Sequence, residues 1–343
     1  MPKHILVIRL SAMGDVAMTV PVLRAFTRQH PTVNITVLTR AFFKPIFRDL
    51  NNVNVFTVDV RGKYKGVMGI FRLSKVLKKT NIDAVADLHN VLRSNVLKLF
   101  FGRTVFLQID KGRAEKKALT TGKVFKQLKT TQQRYADVFE NLGFKVDLTN
   151  PFFPDRSVLS DRIIKITGKR NSKWIGIAPF AQYESKMYPL NLMDKVIETL
   201  SKTYHILLFG GGKKEIEILS TLERQHSNVT NLAGKLSLGE ELDVISNLDL
   251  MLSMDSGNAH LAAMLGINVI TIWGVTHPFA GFYPFDQDME NALLADRSRY
   301  PKIPTSIYGN KYPENYRQAS QTVSPEIVVE KINSIYTSHA VLH

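Results

Sequence analysis

Short runs of aliphatic and β-branched residues take turns with amphipathic stretches along almost the whole chain. Residues 3–10 (KHILVIRL), 34–39, 53–58 and 84–88 read as strands, and 16–29, 42–49, 67–79, 89–101 and 132–142 read as the helices between them. Continuous apolar strands alternating with helices predict a parallel, doubly wound sheet covered on both faces. The pattern weakens over residues 108–129, which are strongly basic and are expected to form a mobile or ligand-covering segment. Pro151 and Pro154 then mark a change of character, after which 174–178 (WIGIA) restarts the alternation. Strands follow at 205–209, 229–232, 250–253 and 268–273, with helices at 190–202, 214–225 and 238–247. The pattern predicts an α/β chain of two doubly wound domains, 1–155 and 172–322, with a C-terminal helix and tail over 323–343 begun by Ser324 and Pro325.

One stretch, MDSGNAHLAAMLGINVITIWGVTHP at 254–278, joins a polar turn, a helix, a buried strand and a second turn. Asp255 and Ser256 are good helix caps, and Gly266 is the expected left-handed stop. The helix is expected to begin at residues 255–257. Unpaired N–H groups there would seat a phosphate, and Gly257 would let it approach the backbone. Ligands of such sheets bind beyond the carboxyl ends of the strands. That rule selects the loops 11–15 in the first domain and 179–186, 210–214, 255–257 and 274–278 in the second.

Charge changes this picture more than composition does. Hydrophobic residues at 44% and charged residues at 22% describe an ordinary globular chain and argue against wholesale disorder. The absence of cysteine excludes a disulfide scaffold, a cysteine nucleophile and thiolate metal sites, and it fits a reducing compartment. No secretion signal or membrane-length apolar run is visible. The net charge of +15, however, is one-sided. Residues 1–155 hold 26 Lys and Arg against 11 Asp and Glu, whereas 156–343 hold 19 of each. The first half is therefore expected to meet something anionic: a nucleic acid, an acidic membrane surface or a phosphorylated glycolipid. A merely soluble basic surface is the plainer alternative.

Several side chains can carry chemistry. Asp15 follows Gly14 at the end of the first strand, where spacing alone favours a helix cap and an ionised carboxylate could also serve as a general base. Lys186 is the lysine of a proline-bounded loop, PFAQYESKMYP at 179–189, and could neutralise a phosphate. Glu215 follows Gly210, Gly211 and Gly212 and could accept from a ribose hydroxyl, although no G-x-G-x-x-G fingerprint is present. His260 stands without a companion histidine, so no metal is expected. Arg61, Lys63, Lys65, Arg93, Arg103, Lys111, Arg113, Lys116 and Lys117 could grip phosphates or carboxylates.

Taken together, IRLSAMGDVAMTVPVLRAF at 8–26, DLHNVLRS at 87–94, PFAQYESKMYP and MDSGNAHLAA…WGVTHP resemble the lipopolysaccharide heptosyltransferase family, glycosyltransferase family 9. The resemblance spans nearly the whole chain. It implies the GT-B fold, two facing Rossmann-like domains with a cleft between them, and inverting transfer of a heptose from ADP-heptose to the lipopolysaccharide inner core. It also implies roles: Asp15 as catalytic base, Lys186 as the holder of the donor phosphates, and Gly14, Glu215, Asp255, Ser256, Gly257, His260 and Thr276 around the donor. Arg61, Lys63, Arg93, Arg113 and Lys117 would then face an anionic, lipid-linked core oligosaccharide. The implied enzyme needs no cofactor beyond its ADP-sugar substrate, binds no nucleic acid, and works in the cytoplasm, peripherally on the inner face of the membrane. The alternatives are a related GT-B transferase with another donor and a noncatalytic sugar-phosphate-binding protein. A nicotinamide dehydrogenase is disfavoured by the missing fingerprint.

Overall fold

The computed structural model describes residues 1–340; the last three residues of the C-terminal helix and tail expected over 323–343 lie outside them. The chain forms two compact units, one of residues 1–112 and 129–154, the other of 113–128 and 155–343.

The first unit is a five-stranded parallel sheet of β1 (His4–Ile8), β2 (Asn34–Thr39), β3 (Val53–Thr57), β4 (Ala84–Asp87) and β5 (Val105–Gln108). Its order is β3-β2-β1-β4-β5. The order reverses between β1 and β4, where Ile8 pairs with Asp87, so the chains leaving these two strands start from one level. Helix 19–29 shows why the periodicity was readable: Val20, Leu23 and Phe26 are buried at helical spacing, and Phe26 packs on Phe139 at 4.7 Å between ring centroids. The helix expected at 42–49 is a 3-10 helix, Ala41–Phe47, because Pro45 has no N–H to donate to an α-helical ladder. The short edge strand β5 lay inside a stretch with too few alternating positions to announce it.

The second unit is a six-stranded parallel sheet: β6 (Trp174–Ala178), β7 (His205–Leu208), β8 (Val229–Asn231), β9 (Leu250–Met254), β10 (Val269–Trp273) and β11 (Ala292–Leu294). The order is β11-β10-β9-β6-β7-β8, reversing between β6 and β9. Ala178 pairs with Ser253, so the loops after β6 and β9 also emerge side by side. Both strands are buried along their whole length, as their unbroken apolar runs require. Helix Pro325–Ala340 packs on helix Leu190–Leu200, and Tyr188 from the preceding loop donates to the Val323 carbonyl at 2.7 Å.

Of the two readings of the basic stretch 108–129, mobile or ligand-covering, the first does not hold for 113–128, which are an ordered part of the second unit. They carry a helix, Arg113–Thr120. Leu119 and Leu128 bury their side chains with Ala280, and Leu128 N donates to the Phe279 carbonyl at 2.9 Å. Two leucines nine positions apart in a lysine-rich sequence leave almost no periodic signal, which is why the anchor was invisible.

Candidate functional site

The reversal point of the first sheet carries Asp15, and that of the second carries Lys186, Asp255 and Ser256.

In the first unit the turn after β1 enters a short helix, Met13–Ala17, whose N-cap is Ala12. Asp15 is therefore the third helical residue and not the cap that spacing favoured. Its Oδ2 reaches back to accept from Ala12 N at 3.2 Å and lies 2.6 Å from Arg9 Nη2. Arg9 is buried, and its Nη1 donates to the Leu88 carbonyl, just past β4, at 2.7 Å. Taking a guanidinium out of water demands a counter-charge, which Asp15 supplies. That compensation engages Oδ2 alone; Oδ1 has no protein partner among the described residues, and the Asp15 side chain keeps 28% of its surface exposed. Tyr135, fully buried beneath, donates to the Asp15 main-chain carbonyl at 3.3 Å, and burial pushes its phenol pKa upward. His89 sits across the reversal point with Nε2 3.5 Å from Ser11 Oγ. Burial and then the nearby Arg9 charge push its pKa down to about 4, so the ring is neutral at pH 7. Gly14 lies in the same helix, directly before Asp15.

Of the cations, Arg61 and Lys63 are exposed in the loop before helix Gly66–Lys78, with Lys63 Nζ 5.3 Å from the centre of the Tyr64 ring. Arg93 approaches the same turn, donating to the Tyr64 carbonyl at 3.2 Å. Arg113 and Lys117, grouped with these by sequence, are exposed on helix Arg113–Thr120 and belong to the second unit.

In the second unit the loops after β6, β9 and β10 converge. Lys186 Nζ lies 2.8 Å from Asp255 Oδ2, and Thr276 Oγ1 donates to the same oxygen at 2.9 Å. Asp255 is buried, and only 14% of the Lys186 side chain is exposed. An ammonium has three protons, so the pair fixes the head of Lys186 while leaving donors for a ligand. The backbone is shaped around it: Ser185 Oγ donates to the Gly309 carbonyl at 2.5 Å, and Gly309 has φ +81°. A Cβ at Gly309 would meet Lys186 Cγ at 2.6 Å. Ser256 is the N-cap of helix Gly257–Ala263, which starts within the 255–257 turn as expected, with Ser256 and not Asp255 as the cap. Its Oγ lies 3.0 Å from Ser253 Oγ. His260 is buried inside that helix. Glu215, in the first turn of helix Lys213–Gln225, closes the glycine turn by accepting from Gly211 N at 2.7 Å. Sequence reasoning missed Arg9, the partner that orients Asp15. The signal was available, since an arginine within the otherwise apolar run 5–10 must find a counter-charge once that run is buried.

Among the described residues, no group of three or more His, Cys, Asp or Glu is placed to hold a metal ion, and no helix is long and apolar enough to cross a membrane.

Residues 70–308 match the model of glycosyltransferase family 9 (heptosyltransferase). Over 350 aligned residues the chain is 27% identical to lipooligosaccharide heptosyltransferase 2 of Haemophilus influenzae, covering 97% of this chain and 99% of that one. The crystal structure of a family 9 glycosyl transferase from Veillonella parvula superposes with a TM-score of 0.77 at 18% identity, covering 98% of both chains. An Escherichia coli heptosyltransferase solved with ADP-2-deoxy-2-fluoro heptose gives 0.67 at 19%, covering 96% of this chain and 99% of that one. The two-sheet GT-B architecture expected from the sequence is thus the fold found.

Proposed function

The chain belongs to glycosyltransferase family 9, and from that premise we propose that it transfers a heptose from ADP-heptose to a sugar of the lipopolysaccharide inner core, with inversion at the anomeric carbon. The cluster of Lys186, Asp255 and Thr276 at the β6/β9 reversal carries the reading. A fixed ammonium at such a point suits a diphosphate whose charge grows as the glycosyl bond breaks. Lys186 meets that charge in this reading, so the reaction calls on no metal ion. Ser256, Gly257, His260 and Glu215 surround the donor on the same unit.

Inversion is a single displacement. The acceptor hydroxyl attacks the anomeric carbon, ADP departs from the opposite face with the bonding pair, and the hydroxyl proton passes to a base. Asp15 is the base: Arg9 and Ala12 N orient its Oδ2, and Oδ1 is unengaged. On the first unit, Arg61, Lys63 and Arg93 supply positive charge for an anionic core oligosaccharide, and Arg113 and Lys117 are exposed cations of the second. The enzyme works in the cytoplasm on a membrane-borne acceptor. Support for peripheral membrane contact comes from Val67, Met68, Leu92 and Leu99, each at least 59% exposed on two helices of the first unit that pack together and carry or adjoin Arg61, Lys63 and Arg93.

The test is incubation with ADP-heptose and a truncated core acceptor, alongside a panel of other nucleotide sugars. Wild type should transfer heptose, and Asp15→Ala should bind ADP-heptose normally while turnover drops by about 10²-fold or more. Transfer retained by the variant removes Asp15 from its role, and preference for another sugar nucleotide overturns the donor.

A further inference from the structure

A cavity of about 550 Å³ opens in the second unit, and neither Lys186, Asp255 nor Thr276 lines it. One wall comes from the 113–128 segment, with Leu119 and Phe125; the other comes from the loops between 297 and 313. Its charge is one-sided: Arg297, Lys302 and Lys311 line it, and no acidic residue does. In a concave surface three uncompensated cations sum to a local positive potential that exposed lysines on a convex face do not reach.

Arg297 is built into place. Its Nε donates to the Ile303 carbonyl at 2.9 Å, and its guanidinium carbon stands 3.5 Å from the centre of the Phe125 ring. Phe125 is itself braced by His277 and Phe279, each 5.0 Å away between ring centroids. With one edge and one face engaged, the terminal guanidinium nitrogens have no protein partner among the described residues, and neither ammonium has one. A planar fork held this way matches two oxygens of a phosphate or carboxylate, and the lysines are long enough to follow as point charges. Phe125, Tyr312 and Pro313 give the same cavity flat apolar surface, which suits the C–H face of a sugar ring. A free inorganic ion would make no use of that surface.

We propose that this cavity is a second anion site, separate from the donor-phosphate lysine, that receives a phosphate- or carboxylate-bearing sugar of the acceptor. Its assignment to the acceptor rests on the transferase reading above; the binding of an anionic sugar does not.

Isothermal titration of the full chain, kept saturated with ADP, with glucose 6-phosphate, glucuronate and glucose tests the site directly. The anionic sugars should bind and glucose should not, and Lys302→Ala/Lys311→Ala should weaken binding by about tenfold or more, near 1.4 kcal/mol. Both lysine side chains are exposed, so the double variant leaves the core intact. Binding of only one sugar names the group, phosphate or carboxylate. Equal affinity in the double variant, or binding abolished by ADP, overturns the site. The second arm is kinetic: the double variant should raise the acceptor KM by about tenfold and leave the ADP-heptose KM unchanged. An unchanged acceptor KM overturns the acceptor assignment. If wild type transfers no heptose at all, the transferase reading fails, and the titration still decides the cavity.

Discussion

Arg9 and Asp15 form an ion pair of 2.6 Å in which the buried partner is the cation and the partly exposed partner is the proposed base. The pair spans strand and helix: Arg9 follows β1, and Asp15 lies in the helix that the strand feeds. Arg9 is thus a positioning residue. Its removal should lower kcat and leave the donor KM in place, because it is buried and bonded to Asp15 and the Leu88 carbonyl. Arg9→Lys can keep the charge but cannot reach Asp15 and the Leu88 carbonyl as one planar fork, so only partial rescue is expected. Equal losses in kcat for Arg9→Lys and Arg9→Leu, with a raised donor KM, would assign Arg9 a different role.

Breaking the Lys186–Asp255 pair should cost more than removing it. Asp255→Leu leaves a nearly buried ammonium without its partner and should destabilise the chain by about 3 kcal/mol or more. Lys186→Met/Asp255→Leu should recover much of that loss in denaturant titrations and still show no transfer. A double variant as unstable as the single would mean that the pair is not the source of the cost.

Gly309 should tolerate no side chain. Its positive φ costs an alanine about 1 kcal/mol, and the new methyl presses on the aliphatic stem of Lys186. Gly309→Ala should therefore weaken ADP binding as well as stability, whereas Gly102→Ala, at φ +62° with open space around it, should affect stability alone. Matching ADP affinities in the two variants would refute the link.

Stability should depend on pH through two buried histidines. His89 and His277 are each pushed down to about 4, by burial first and then by Arg9 and Arg297 respectively. The unfolded chain takes up these protons near 6.5, so the stabilisation is complete above that pH and is lost as pH falls from 6.5 through 4. Each histidine contributes on the order of 3 kcal/mol at most. Glu241 opposes them: burial raises its pKa from 4.5 to about 7, and its contribution is lost as pH rises across that interval. Denaturation midpoints measured from about pH 4 to 7.5 should show a shallower acid fall in His277→Asn and a higher neutral midpoint in Glu241→Gln. Parallel curves for all three proteins would contradict this account.

Strands buried on both faces were legible because burial on two sides forces an unbroken apolar run, as in WIGIA and NVITIW. Helices such as 190–200 were legible because one face must be apolar; Met193, Val196, Ile197 and Leu200 are that face. The members of the second-unit site were likewise visible as polar residues just after buried strands. Their mutual geometry was not: nothing in the spacing of Lys186, Asp255 and Thr276 says that two of them share one carboxylate oxygen. The edge strands β5 and β11, of four and three residues, are half-exposed and too short for periodicity to register. Arg297 and Phe125 are 172 positions apart by number, and their stacking is a property of the folded chain alone.

The excursion of residues 113–128 has a consequence for protein engineering. A chimera joined by one crossover near residue 155 would take Leu119 and Leu128 from one parent and Ala280, Phe279, Phe282 and Ile307, against which they pack, from the other. Recombination between relatives therefore needs three junctions, two of them flanking this short insertion, and a fragment starting at 155 would carry an uncovered hydrophobic seam that invites aggregation.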